Sequence, residues 1–200
     1  MNGYERRTKQ KKDKIRTAAL ELFCKYGPDK TSINEIAQQA GVSPASIFNY
    51  FGSKEGLMKD TIIDLLDSSW KLREELWESE LPFPELLKRT VTMKNEFFDT
   101  IDLSNFLALI NSNPEIKKHI DDFNQKRYPQ LVRKFIEKGR REGYIRKEIS
   151  FEAAMIYLTM YQELLQRPEL QQKINNELLK ELLDLMIYGL AGQPVHDGME

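Results

Sequence analysis

Two hundred residues, 40% hydrophobic and 30% charged, suffice for one sizeable domain or two small ones with a real core. No apolar run approaches the ~20 residues of a membrane span. The charged start lacks the apolar stretch of a secretory signal, and the lone Cys24 excludes an intramolecular disulfide, so a reducing, cytoplasmic setting is expected. The net charge of −1 is unevenly spread: residues 1–60 hold 11 Lys/Arg against 7 Asp/Glu, the remainder 19 against 24. That asymmetry fits a basic end that meets a polyanion, and equally an ordinary solvated face.

Apolar residues recur at three- and four-residue steps throughout, which predicts an all-α chain. The first helix carries the stripe Ile15, Ala18, Ala19, Leu22, Phe23 and Tyr26 and stops at Gly27-Pro28. The second opens on the capping box "SINE", with Ser32 as N-cap and Glu35 reaching back. Its inner face is Ile33, Ile36, Ala37 and Ala40. Gly41 permits a sharp turn, Val42 points inward, and Ser43 caps a third helix with Pro44 at its first position. A helix, a short Gly-containing turn and a second helix make a helix-turn-helix unit.

The third helix, "PASIFNYF", has an unusual outer face. With Ile47 at 0° and about 100° per residue, Phe51 and Pro44 fall within roughly 60° of it, toward the core. Ala45 and Asn49 lie opposite, flanked by Phe48 and Ser46, without one charge among them. Small and polar groups of this kind suit entry into a DNA major groove, with Asn49 able to bond an adenine edge and Phe48 to pack on a thymine methyl. A short packing helix is the alternative. Lys54 follows at the start of the next helix, behind Ser53 as N-cap, where backbone N–H groups also favour phosphate.

The stretch "TSINEIAQQAGVSPASIFNYFGSKEGL" resembles the signature of the TetR family of transcriptional regulators at Thr31, Ile36-Ala37, Ala40 to Ser43, Ile47, Phe51, Ser53 to Glu55 and Leu57. The resemblance implies that Thr31 touches phosphate and that Ser43, Pro44 and Ala45 approach the DNA backbone. It places Ser46, Phe48, Asn49 and Tyr50 in or beside the groove, with Lys54 clamping a phosphate. Two departures stand out: Ala45 where the family often has Gly, and Phe48 where it commonly has Tyr. The resemblance then implies one phosphate bond fewer at Phe48.

Beyond residue 54, helices are expected near 54–79, 83–100, 103–112, 114–124, 128–142, 151–166 and 169–190. The apolar residues of the last one cover roughly 220° of its wheel, more than the stripe of ~100° or so that a surface helix needs. The helix before it is similarly broad, so both need a second surface to cover. The resemblance supplies one, a four-helix bundle between two subunits with Met155, Leu178, Leu182, Leu185 and Met186 at the interface. A central buried helix in a monomer is the other reading. The family also implies a small-molecule pocket, for which Trp70, Phe97, Phe98, Phe106, Tyr128, Phe135, Tyr157 and Met160 are candidates; core packing suits each of them as well.

The organisation expected is a helix-turn-helix DNA-binding domain over 1–55, a larger helical regulatory and dimerisation domain over 56–192, and a flexible tail over 193–200. The partners expected are a palindromic double-stranded operator, a second copy of the chain and an unidentified effector, with no membrane, metal or cofactor. An enzyme is disfavoured: His119 and His196 are the only histidines, and no metal-type cluster, phosphate-cradling Gly loop or nucleophile elbow is present. A helical scaffold that binds only protein is the remaining rival.

Overall fold

A computed structural model of the chain describes residues 3–99, 102–167, 170, 173 and 175–191. Among these residues there are ten helices and no strand. They are α1 (Gly3–Tyr26), α2 (Ile33–Ala40), α3 (Pro44–Phe51), α4 (Lys54–Trp77), α5 (Phe83–Asp99), α6 (Leu103–Ser112), α7 (Pro114–Lys126), α8 (Tyr128–Arg141), α9 (Phe151–Gln166) and α10 (Asn176–Ala191). The chain divides into two compact units, Met1–Ser69 with Ile101–Ile120 and Trp70–Thr100 with Asp121–Glu200.

The first unit buries Ile15, Ala18, Ala19 and Phe23 of α1, Ile36 and Ala37 of α2, Ile47 of α3, and Leu57 and Ile62 of α4. Each large aliphatic or aromatic side chain so buried contributes roughly 1.5–3 kcal/mol. Tyr26, expected in the α1 stripe, is instead exposed beneath Lys25 Nζ, 5.1 Å from its ring centroid, and Cys24 takes the buried place. Arg16 ties α1 to α4 through Asp60 (2.7 Å) and Asp64 (3.5 Å). α6 joins this unit: Asn105 Nδ2 donates to the Cys24 carbonyl at 2.9 Å, and Phe106 and Leu109 are buried. Compactness therefore follows packing against α1, whereas the boundary near residue 55 is an expectation about which segment reads DNA.

The second unit is built on aromatic packing. Trp70 stacks on Phe123 (3.8 Å, 8°), and Phe135 meets both Trp77 (4.8 Å) and Phe83 (4.9 Å). The Trp77 indole N–H is satisfied by Thr90 Oγ1 at 3.0 Å, as a buried polar tip requires. Gly139 of α8 lies so close to its neighbours that a Cβ there would sit 2.7 Å from Ile145 and 2.8 Å from Phe83.

One expected helix differs at its start. Asn175 Oδ1 accepts the Leu178 N–H at 2.8 Å, and α10 begins at Asn176 rather than near 169. An Asn that caps cannot also sit comfortably inside the helix, because its side chain competes for backbone N–H groups. Residues 168, 169, 171, 172 and 174 lie outside the described residues, as does the expected tail 193–200.

Candidate nucleic-acid interface

The helix-turn-helix is held by its own polar residues. Ser32 Oγ accepts the Glu35 N–H at 3.2 Å, while Glu35 Oε2 accepts the Ser32 N–H at 2.7 Å, a complete capping box. These bonds hold the Glu35 carboxyl below the usual carboxylate range: the Ser32 hydroxyl and N–H contribute most, with Lys54 adding to them. Gly41 turns the chain at φ 66°, a left-handed conformation that side chains resist. Ser43 Oγ then accepts the Ser46 N–H at 3.2 Å, with Pro44 at the first position of α3.

Ile47 anchors α3 and is fully buried, with Phe51 half-buried. Ser43, Pro44, Ala45, Phe48 and Asn49 are exposed together, and Ser46 and Tyr50 half-exposed beside them. Phe48 is 50% exposed, an unusual placement for a phenylalanine. Pro44, expected toward the core, is exposed because it sits on the helix's first turn, ahead of the buried Ile47.

Thr31 does not join this surface. Its side chain is 3% exposed, and its hydroxyl donates to the Gly27 carbonyl (2.9 Å) and the Leu22 carbonyl (3.2 Å). That commits it to the α1–α2 junction, so the phosphate contact expected of its side chain is not available in this conformation.

Lys54, half-exposed, is the first residue of α4, and its charge reaches both Glu35 and Glu55. Ser53 Oγ caps α4 by accepting the Gly56 N–H at 3.0 Å. Gly56 has a role that spacing alone did not reveal: a Cβ there would collide with the Phe51 carbonyl, so only glycine lets α4 leave this close to α3. Sequence reasoning also missed Lys12, whose ammonium lies 6.0 Å from the Tyr50 ring centroid and 5.4 Å from that of Phe51. Its signal was the basic run of α1, visible as charge but with no register to α3. A cation over these rings brings positive charge to one end of the uncharged face.

The other expected sites are distributed differently. Trp70, Tyr128 and Phe135 are buried in the second unit, whereas Phe106 belongs to the first. Phe97 and Phe98 lie on α5 with side chains outside the described residues. Tyr157 donates its hydroxyl proton to the Leu185 carbonyl at 3.3 Å, and burial with the bond to Tyr161 pushes its pKa up to about 12. Met160 is 61% exposed, on the outside rather than within a pocket. Of the expected interface residues, Leu185 (62%) and Leu178 are exposed, Met155 and Leu182 half-buried, and Met186 is packed inside its own unit. Ile156 and Tyr188 extend the exposed apolar set. Among the described residues no group of His, Cys, Asp and Glu suits a metal, and no helix is long and apolar enough to cross a membrane.

Residues 15–61 match the family of bacterial regulatory proteins known as the tetR family. The chain is 27% identical over 186 residues to YdgC of Bacillus subtilis, an uncharacterized HTH-type transcriptional regulator, covering 90% of this chain and 93% of that one. It is 26% identical over 148 residues, 70% of each chain, to the HTH-type transcriptional repressor KstR2 of Rhodococcus jostii. The fold is similar to that of the regulator FadR from Bacillus subtilis in complex with stearoyl-CoA: TM-score 0.55 and 22% identity, over 88% of this chain and 98% of that one. Residues 15–61 are thus a capped helix-turn-helix of the tetR family type, and along most of its length the chain is similar to HTH-type transcriptional regulators.

Proposed function

We propose that this protein is a repressor that grips a palindromic operator as a homodimer and lets go when a small molecule binds its second unit. The observation that carries the DNA-reading part is the outer face of α3, where Ala45, Phe48 and Asn49 are exposed with no charge among them. Asn49 reads an adenine edge, Phe48 packs on a thymine methyl, and Lys54 and Lys12 supply phosphate grip from the neighbouring helices. One short helix reads few base pairs, so a second copy related by a two-fold axis completes a near-palindrome with half-sites about one turn or a multiple apart.

The exposed Ile156 and Met160 of α9 and Leu185 and Tyr188 of α10 supply an apolar surface for that second copy. Release follows from a population shift, in which effector binds better to the conformation whose heads no longer match the operator spacing. The test is selection from random double-stranded DNA at moderate salt with the purified chain. An enriched palindrome is expected. An enriched single half-site would remove the dimeric reading, and no enrichment from folded protein would remove the regulator reading itself.

A further inference from the structure

The positive charge of the first unit is concentrated in one segment. Residues 3–14 hold six Lys/Arg against two Asp/Glu, whereas residues 15–60, which include the whole helix-turn-helix, hold five of each. The basic excess of the N-terminal third therefore belongs entirely to the first three turns of α1. Those turns take no part in the core: Ile15 is the first buried residue of α1, and every residue from 3 to 14 is exposed or half-buried.

Two contacts fix where these turns lie. Near one end of α1, the Cys24 carbonyl is held by Asn105 of α6, while Lys12 lies over the rings of Tyr50 and Phe51 at the end of α3. α1 therefore runs from α3 toward α6, and residues 3–11 continue for about 14 Å beyond the α3 contact, away from α6. A helical stripe fixes which way the charge points. Arg7, Lys11, Lys14, Ala18 and Glu21 stand at i, i+4, i+7, i+11 and i+14, on one side of the helix. One end of the stripe packs on the helix-turn-helix: Ala18 is buried, and Glu21 accepts a hydrogen bond from Gln39 of α2. The other end is three exposed cations, Arg7, Lys11 and Lys14.

Among the described residues no carboxylate lies within ion-pair distance of these three. Like charges three and four residues apart weaken a helix, and cations in its first turns oppose its dipole. A face that is solvated and no more usually interleaves the two signs. A one-sign stripe, set on the side of α1 that packs on the DNA-reading unit, is complementary to a polyanion running alongside it.

We infer that the first three turns of α1 lie along the phosphate backbone of the duplex that flanks each half-site, with Arg7, Lys11 and Lys14 gripping it without reading sequence. This inference rests on the DNA-reading proposal for α3 and lengthens its footprint beyond the bases α3 can touch. Arg7 to Lys14 spans about 10 Å along the helix, and a duplex presents one charge per ~1.7 Å of its axis, so all three cations are neutralised at once.

The full chain is titrated by fluorescence anisotropy onto duplexes of two lengths that carry the selected palindrome. One ends at the outermost selected base pair; the other adds about ten arbitrary base pairs, one helical turn, on each side. The longer duplex should bind about tenfold or more tightly at moderate salt, whatever its flanking sequence. Arg7→Gln, Lys11→Gln and Lys14→Gln combined should remove that advantage and lower the salt slope by up to about 3 per bound chain. The charge-preserving set Arg7→Lys, Lys11→Arg and Lys14→Arg should keep the advantage, which separates lost charge from a damaged helix. Equal affinity for the two lengths, an advantage that the glutamine variant retains or the charge-preserving variant loses, or one that depends on the flanking sequence would each overturn the inference. A duplex of arbitrary sequence, about three helical turns long, needs no palindrome, and there too the glutamine variant should lose slope. A failed selection thus leaves this result readable, and an unchanged slope sinks the flanking contact without touching the reading of Asn49 and α3.

Discussion

The outer face of α3 and the apolar residues left exposed on α9 and α10 differ in what surrounds them, and they suit different partners. The outer face of α3 is one helix of eight residues, mixed in small, amide and aromatic groups, with Lys12 and Lys54 at its margins. The outer faces of α9 and α10 offer Ile156, Met160, Leu185 and Tyr188. A groove between phosphates needs close approach, hydrogen-bonding edges and nearby cations. A second protein surface needs contiguous apolar area and nothing more specific. The chemistry of the margin is what separates the two proposed partners.

The largest test separates the two surfaces. Ile156→Glu with Leu185→Glu places two carboxylates where apolar contact is expected, at a cost on the order of 3–5 kcal/mol of self-association. Sedimentation equilibrium should report a monomer, and operator affinity should fall because two half-sites are no longer held on one particle. A variant that stayed dimeric would show that these faces serve another purpose.

Gly139→Val attacks the second unit from inside. Its side chain meets Ile145 and the rigid ring of Phe83, and overpacking of this kind costs about 1–3 kcal/mol. Thermal unfolding followed by fluorescence resolves it, because both tryptophans, Trp70 and Trp77, lie in the second unit. An unchanged melt would mean that α8 and Phe83 part without cost.

Asn49→Ala addresses the first surface and should cost about 1–3 kcal/mol at one base step per half-site, with specificity relaxed there. Selection with the variant reads this directly, and an untouched base preference would remove Asn49 from the reading face. Lys54→Ala has a smaller and different signature. Binding weakens across all sequences, and the slope of affinity against salt falls by about 1 for each phosphate left without its lysine. A sequence-dependent effect would contradict its role as a phosphate clamp.

Legibility in the sequence followed the range of the interactions. Ser32 with Glu35, and Ser43 with Pro44, are pairs three residues apart or fewer, and the capping rules placed both helices and the inward Ile47 correctly. The same local logic gave the bounds of α5 through α9 to within about two residues. Asn175 broke the last helix because an unremarkable "NN" inside an apolar period hid a cap. Thr31 was harder still: its signature position suggested an outward role, whereas its hydroxyl satisfies two carbonyls of the α1–α2 junction. Lys12 against Tyr50 joins residues far apart in the chain, which no period or motif registers.

Acid titration provides the finest comparison of the two units. Each has an exposed carboxyl held low by hydrogen-bond donation: Glu35 through the Ser32 hydroxyl and N–H, and Glu142 chiefly through the Phe83 N–H at 2.6 Å, with Lys138 adding its charge. A carboxyl whose folded pKa lies below its unfolded value stabilises the fold above the unfolded value, about 4.3 for Glu, and loses that contribution as pH falls through the folded pKa. Both units should therefore loosen only below about pH 4.3, and modestly, because solvent screens exposed groups. Glu142→Gln should flatten the acid limb of the tryptophan-detected unfolding profile, while Glu35→Gln leaves that limb intact and acts on the head alone. If Glu35→Gln moved the tryptophan signal as much as Glu142→Gln did, the two units would be unfolding as one, and the division between reader and responder would have to be drawn by function rather than by stability.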